Sequence, residues 1–381
     1  MKHFFGYDLK AQSALSLSMP IRLESYGYDG LHPFFQMNMP EGALRDAIDR
    51  VIAKPFGSDY LTVLALLDNN QIGSVRYTLE GKALANDDKV NLDLEDLLES
   101  NDALLFTELL NRFAMRSGVA GIQPKVLLDI QRKEFDKSTY PIDSYIVKSW
   151  GDEYPELANN EFFCLIMEKE AALTVYPFYL SGNGKLLITK RFDISESGIP
   201  LDFEDFCVLQ GKSTQQKYDA SLESCANAIT QCVSTEYRQT ALYDFFKLTV
   251  LNIYLRNGDA HLKNYGVLYK DLQQYSLGSH PKSKVTFSPV FDIISTTPYI
   301  KNDTMALSLT GSKRRPKWKV LVRFAKQHCM LSNKQISQIC SEIDAAKTTC
   351  LPLLAELTNK HPGFRCIADE LTQLLSADIY S

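Results

Sequence analysis

Residues 242–255, LYDFFKLTVLNIYL, are apolar over nearly a full helical circumference. A helix with that pattern belongs in a core and needs other elements packed on every side of it. The chain can supply them. Its 381 residues, 45% apolar and 23% charged, match an ordinary globular protein with room for two or three lobes. Directly after the apolar run comes RNGDAHLKN, residues 256–264, which crowds an aspartate, a histidine, a lysine and an asparagine into one loop. The apolar helix therefore reads as a rigid support that delivers polar chemistry to a fixed place.

Composition narrows the functional classes. A net charge of −5 gives no support to a chain-wide nucleic-acid or membrane footprint. No apolar run approaches the roughly 18 residues of a membrane span, and polar residues interrupt MKHFFGYDLKAQSALS too soon for a signal-peptide core. The eight cysteines lie outside any C-x-x-C pair, as expected of reduced thiols in a cytoplasmic protein rather than disulfides or zinc ligands. A basic run, GSKRRPKWK at 311–319, reads as a solvated surface loop or as a contact for an acidic partner or DNA backbone.

Along the chain, SALSLSMPIRL, YLTVLALLD and IGSVRYTLEG read as short strands around a helix that begins after MPEG and runs through ALRDAIDRVIA. ANDDKVNLDLEDLLESND, acidic and turn-prone, reads as a linker into the helix ALLFTELLNRFAMR. KVLLDI, DSYIVKSW and KLLITKRFDI read as strands, with the helix ELANNEFFCLIMEKEAAL between the second and third. From about residue 202 the pattern is helical to the end, apart from a hairpin from YGVLY to VTFSPVF. The expected domains are 1–85, a small α/β subdomain; 86–195, a strand-rich lobe; and 196–381, a helical lobe. That order predicts an α+β fold with two principal lobes.

Several constellations point to phosphoryl transfer. Asp259 and Asn264 stand in a D-x-x-x-x-N spacing, and such a site needs a carboxylate for the acceptor hydroxyl and a neutral oxygen for magnesium. Asp292, in PVFDIIS, provides a second oxygen ligand of the kind a hard divalent cation prefers. SGVAGIQPK contains Gly118 and Gly121, which allow backbone N–H groups to approach phosphates, although it is not a Walker loop. Lys148 lies in an apolar strand after that loop, and Glu161 on the next helix is a candidate ion-pair partner. LLITKRFDI carries Lys190, Arg191 and Phe192 into the helical lobe, where an adenine-binding hinge is expected. Each feature alone has a plainer reading: a turn, a cap, a snorkelling lysine, a strand end. Their order along the chain is that of a kinase.

GVAGIQPK, YIVKSW with ELANNEFFC, ITKRFDI, QQKYDAS, RNGDAHLKNYGVLY and SPVFDIISTTPY together resemble the HipA family of serine/threonine kinases, toxin components of bacterial toxin–antitoxin modules. LHPFFQMNMPEGALR is similar to the family's N-terminal subdomain. The resemblance implies a divergent, two-lobed protein-kinase-like fold with a mixed α/β N-lobe and an all-α C-lobe. It also implies ATP and Mg2+ as cofactors. By the same resemblance Asp259 is the catalytic base, His261 and Lys263 complete the catalytic loop, and Asn264 and Asp292 hold the metal. Ala120, Gly121, Ile122, Gln123 and Lys125 cover the nucleotide phosphates. Lys148, paired with Glu161, meets those phosphates, and Lys190, Arg191 and Phe192 lie by the adenine. The family often carries a serine in the glycine loop whose autophosphorylation silences the kinase. Here Gly118 and Ala120 occupy the matching positions, with Ser117 just upstream. The implied partners are a protein substrate such as an aminoacyl-tRNA synthetase and a helix-turn-helix antitoxin of the HipB type, with DNA reached only through the antitoxin and no membrane. Two other readings stay open: a small-molecule phosphotransferase, and a pseudokinase or co-repressor subunit bound to a DNA-binding antitoxin.

Overall fold

The computed structural model describes residues 2–42, 45–46, 48–49, 59–66, 71–78, 80, 93–100, 105–113, 123, 125–131, 142–276, 279, 281–378 and 380. The chain divides into two units. One comprises Met1–Gly151, Pro177–Glu204 and Leu268–Ser283, the other Asp152–Tyr176, Asp205–Val267 and Lys284–Ser381.

The first unit opens with an antiparallel pair, β1 (Lys2–Phe5) and β2 (Tyr26–Asp29), followed by the short helix α1 (Pro33–Gln36) and by α2 (Tyr60–Leu66). Helices α3 (Leu94–Glu99) and α4 (Leu105–Phe113) lead to a sheet of β3 (Lys125–Gln131), β4 (Ile142–Ser149), β5 (Phe178–Leu180) and β6 (Leu186–Lys190). Its strand order is β3-β4-β6-β5, antiparallel throughout. Strand alternation decides which side is buried. Val126, Leu128, Ile130, Tyr145, Val147, Leu186 and Ile188 close on Leu97 of α3 and Leu109 of α4 in one core. Burial of each large apolar side chain contributes about 1.5–3 kcal/mol, which holds these strands in one register. The opposite face carries Lys125, Leu127, Ile146, Lys148 and Leu187.

Three expected strands near the N-terminus are corrected. Residues 60–66 of YLTVLALLD form helix α2, because the Asp59 carboxylate accepts hydrogen bonds from Leu61 N at 3.0 Å and Thr62 N at 3.1 Å. That side-chain cap outweighs the β-branched composition. Residues 13–23 form bridges and turns, since the buried Glu204 carboxylate accepts from Leu17 N at 2.7 Å and Ser16 Oγ at 3.0 Å and takes the segment out of ladder pairing. Tyr269 also donates to Glu204, and burial pushes that carboxyl up to about 7. Residues 72–78 are loop: Gly73 N donates to Asp193 Oδ2 at 2.7 Å, and Gly73 and Val75 carbonyls accept from Arg76. The expected linker contains α3, capped by Asp93. Most of the expected helix after MPEG lies outside the described residues.

The chain crosses between units within β7 (Asp202–Asp205), a strand where helix was expected, and again within β8 (Gly266–Tyr269). The second unit holds α5 (Leu157–Glu170), α6 (Phe206–Leu209), α7 (Leu222–Cys232) and α8 (Thr235–Tyr254), then β9 (Thr286–Phe287), α9 (Trp318–Gln327), α10 (Asn333–Lys360) and α11 (Arg365–Ser376). As its pattern requires, α8 is buried along most of its length, from Ala241 to Tyr254. Its buried lysine, Lys247, is satisfied: Nζ donates to Ala171 O at 2.9 Å and Ala172 O at 3.2 Å beyond the end of α5, and pairs with Glu342 at 2.7 Å. No helix among the described residues is long and apolar enough to cross a membrane.

Candidate functional site

Helix α8 ends at Tyr254, and Arg256 turns the chain through the left-handed region at φ 54°. Two asparagines then set the loop. Asn257 donates through N to Asn252 O at 2.8 Å and through Nδ2 to Asn252 Oδ1 at 2.7 Å. Its own Oδ1 accepts from Asp259 N at 3.0 Å. The last turn of the buried helix thus fixes the backbone of Asp259 while the side chain of Asp259 stays 50% exposed. Tyr218 Oη donates to Asp259 Oδ1 at 2.6 Å, and the His261 Nε2 lies 4.0 Å from the same oxygen. Gly258 packs against Asp303 and the Thr304 carbonyl with no room for a Cβ, and its N–H donates to Thr296 Oγ1 at 2.9 Å.

The loop closes with a single 3-10 turn, Leu262–Asn264, in which Lys263 is half-buried and Asn264 buried. Asn264 Nδ2 donates to Asp292 O at 2.9 Å, so the loop is tied to the segment that carries the second acidic residue. The other end of that amide, Oδ1, is a buried oxygen without a hydrogen-bond partner among the described residues. An unmatched buried acceptor costs about 1–3 kcal/mol, and a neutral amide oxygen is a ligand that a hard divalent cation accepts. Asp292 adopts φ 59°, in the left-handed region that few residues other than glycine, asparagine and aspartate enter. Three residues on, Asn160 of α5 clamps the backbone of Ser295: its Nδ2 donates to Ser295 O at 2.8 Å, and Ser295 N donates to its Oδ1 at 3.0 Å. In the second unit, then, Asp259, His261, Lys263 and Asn264 share one loop, and Asn264 is bonded to Asp292. The chemistry of this donor set suits a magnesium–nucleotide. Glu161 also lies in this unit, buried on α5.

In the first unit, Lys125 and Lys148 stand directly opposite each other on β3 and β4, at 4% and 5% exposure. Paired residues of an antiparallel ladder project to the same side, so two ammonium-bearing chains share a face with Leu127, Ile146 and Leu187. Gln123 donates through Nε2 to Ser149 O at 3.3 Å beside them. Ser117, Gly118, Ala120, Gly121 and Ile122 lie outside the described residues. At the end of β6, Lys190 pairs with Asp143 at 2.7 Å. Arg191 is engaged in the interior: its guanidinium makes a two-pronged pair with Asp193 at 2.6 and 3.0 Å and donates to Gln71 O. Phe192 is buried edge-on to Phe203.

Tyr218, Asn257, Asn160 and Gly258 belong to this arrangement and received no role from spacing. Tyr218 lies within QQKYDAS, and the Asn pair lies within LNIYLRN. Asparagines in an apolar helix end are the one local signal that could have marked a backbone clamp.

Comparison with known proteins places the chain in a family. Residues 117–350 match the HipA-like C-terminal domain and residues 2–78 the HipA N-terminal domain. The chain therefore belongs to the HipA family, and its fold is the α+β, kinase-like fold of that family. A Sinorhizobium fredii protein named "Putative kinase Y4dM" is 28% identical over 303 residues, 74% of this chain and 66% of that protein. A Haemophilus influenzae relative, also named as a kinase of the same standing, is 30% identical over 206 residues, 49% of this chain and 55% of its own length. The chain thus spans about two thirds or less of these two relatives. The solved complex of the Shewanella oneidensis MR-1 toxin–antitoxin system HipA, HipB and its operator DNA contains a chain of the same fold, with a TM-score of 0.63, 19% identity, and coverage of 90% of this chain and 83% of that one.

Proposed function

We propose that this chain is an ATP- and Mg2+-dependent serine/threonine protein kinase of the HipA toxin type, acting in the cytoplasm. The observation that carries the reading is the Asn264 amide, bonded through nitrogen to the Asp292 backbone and presenting a buried oxygen unmatched among the described residues, five residues after a half-exposed Asp259. Family membership and the relatives' names support it. Bound magnesium would neutralise charge on the transferring phosphate. Asn264 and Asp292 would hold it, while Lys125 and Lys148 would meet the nucleotide phosphates. Asp259, set by Asn257 and Tyr218, would accept the proton of the acceptor hydroxyl. His261 lies 4.0 Å from that carboxylate, and Lys263 adds positive charge to the loop. The proposed domain roles are 1–85 for an N-terminal subdomain, 86–195 for nucleotide binding and 196–381 for catalysis. A HipB-type antitoxin is the proposed partner, by analogy with the Shewanella complex, and a translation component such as an aminoacyl-tRNA synthetase the proposed substrate.

The test is transfer of label from γ-labelled ATP into bacterial lysate by the wild type and by Asp259→Asn, with growth followed after induction of each. Labelled protein and growth arrest, both lost in the variant, are the expected result. Nucleotide binding without any labelling by the wild type would overturn it in favour of a pseudokinase.

A further inference from the structure

We infer that Tyr218, 41 residues from Asp259 in sequence, is a positioning residue that orients the Asp259 carboxylate through its phenol O–H. The inference deepens the phosphotransferase reading and rests on it. Among its described contacts, Asp259 is held through its N–H by Asn257 and through its Oδ1 by Tyr218 Oη at 2.6 Å. A carboxylate that is half-exposed and fixed only through its backbone rotates about two side-chain bonds. The phenol anchors the side chain itself, and proton acceptance in a transition state depends on that orientation.

Tyr218 is in turn braced from several sides. Its ring meets the His261 imidazole edge-on, with centroids 5.2 Å apart at 76°. Its carbonyl accepts from Lys313 Nζ at 3.1 Å, and the neighbouring Lys217 carbonyl accepts from Leu262 N at 3.1 Å, inside the loop itself. Lys217 and Lys313 lie 5.5 and 6.0 Å from the ring centroid. Lys313 belongs to the basic run 311–319, so one residue of that run has a structural partner beside the loop. The phenol proton also favours the ionised carboxylate to which it is donated. Its removal therefore has a signature beyond lost packing: a carboxylate that protonates at higher pH.

The experiment uses the full chain with γ-labelled ATP, Mg2+ and bacterial lysate as acceptor pool, and follows the labelling rate across pH for the wild type, Tyr218→Phe and Lys313→Ala. Phenylalanine keeps the ring against His261 and removes only the O–H. The expected result is a fall of about 10- to 100-fold in Tyr218→Phe, in line with a charge-assisted hydrogen bond, with the acid limb of the profile moved to higher pH. Affinity for Mg-ATP and the melting temperature stay near wild type. Lys313→Ala, at an exposed position, lowers the rate severalfold in the same direction. An active wild type with Tyr218→Phe unchanged overturns the inference alone, and so does a slower variant whose acid limb stays in place. A wild type that labels nothing overturns the phosphotransferase reading and the inference together.

Discussion

Alanine at Gly258 tests whether the loop is held as tightly as its geometry implies. A Cβ there would lie 1.8 Å from Asp303 Oδ2, 2.4 Å from its Cγ and 2.7 Å from the Thr304 carbonyl. The first two contacts can be relieved by rotating Asp303, but that carboxylate accepts from Thr304 N at 2.9 Å and from Thr296 Oγ1, and Thr296 in turn anchors Gly258 N. The third contact is backbone and needs the 303–304 segment to move. Overpacking of this kind costs about 1–3 kcal/mol, and the two strained hydrogen bonds add about 1 kcal/mol. A total of about 3 kcal/mol lowers the melting temperature of a unit of this size by about 6–12 °C. A displacement of about 1 Å at Asp259 would reduce phosphoryl transfer by about 100-fold. Thermal unfolding and γ-phosphate labelling of Gly258→Ala read both effects. Adding Asp303→Ala should recover part of the stability and little of the activity, because the carbonyl contact remains. A Gly258→Ala chain that melts and labels like wild type would refute the reasoning.

Three further outcomes are expected. Arg191→Ala leaves the buried Asp193 without its cation and lowers stability by about 3–5 kcal/mol in chemical denaturation; a stable variant with weakened ATP affinity would instead place Arg191 at the nucleotide. Glu204, held near 7 by burial against an ordinary 4.5, binds its proton more tightly folded than unfolded. Its contribution is therefore fully present below about pH 4.5 and lost as pH rises through 7, by a few kcal/mol at most. Urea unfolding at pH 5 and pH 8 should show that slope in the wild type and a flatter one in Glu204→Gln. Lys148→Met, which keeps the length of the chain and removes the charge, should weaken Mg-ATP binding by about tenfold or more in a fluorescent-nucleotide titration while leaving the fold intact; unchanged affinity would exclude the β3–β4 lysines from the phosphate site.

Local pattern determined a good part of this protein. Strands β3, β4 and β6 alternate strictly enough, and α8 is apolar over enough of its surface, that neither could take another form or face without exposing its core residues to water. Spacing also brought Asp259, His261, Lys263 and Asn264 into one short loop, because five residues cannot stray far from the end of a rigid helix. The tertiary structure decided everything whose partner is remote. Residues 13–23 have strand-like composition, yet Glu204, 188 residues from Ser16 in sequence, captures their polar groups. Tyr218 resembles any loop tyrosine until its hydroxyl meets Asp259, and Asn160 any helical asparagine until it clamps Ser295, 135 residues away. Arg191 stands at a strand end whose pattern names no partner, and only the fold brings it onto Asp193 and the Gln71 carbonyl. Periodicity records which side of an element is buried, since that depends on the element alone. Which polar group lies within 3 Å of another depends on how distant segments pack, and no local pattern carries that distance.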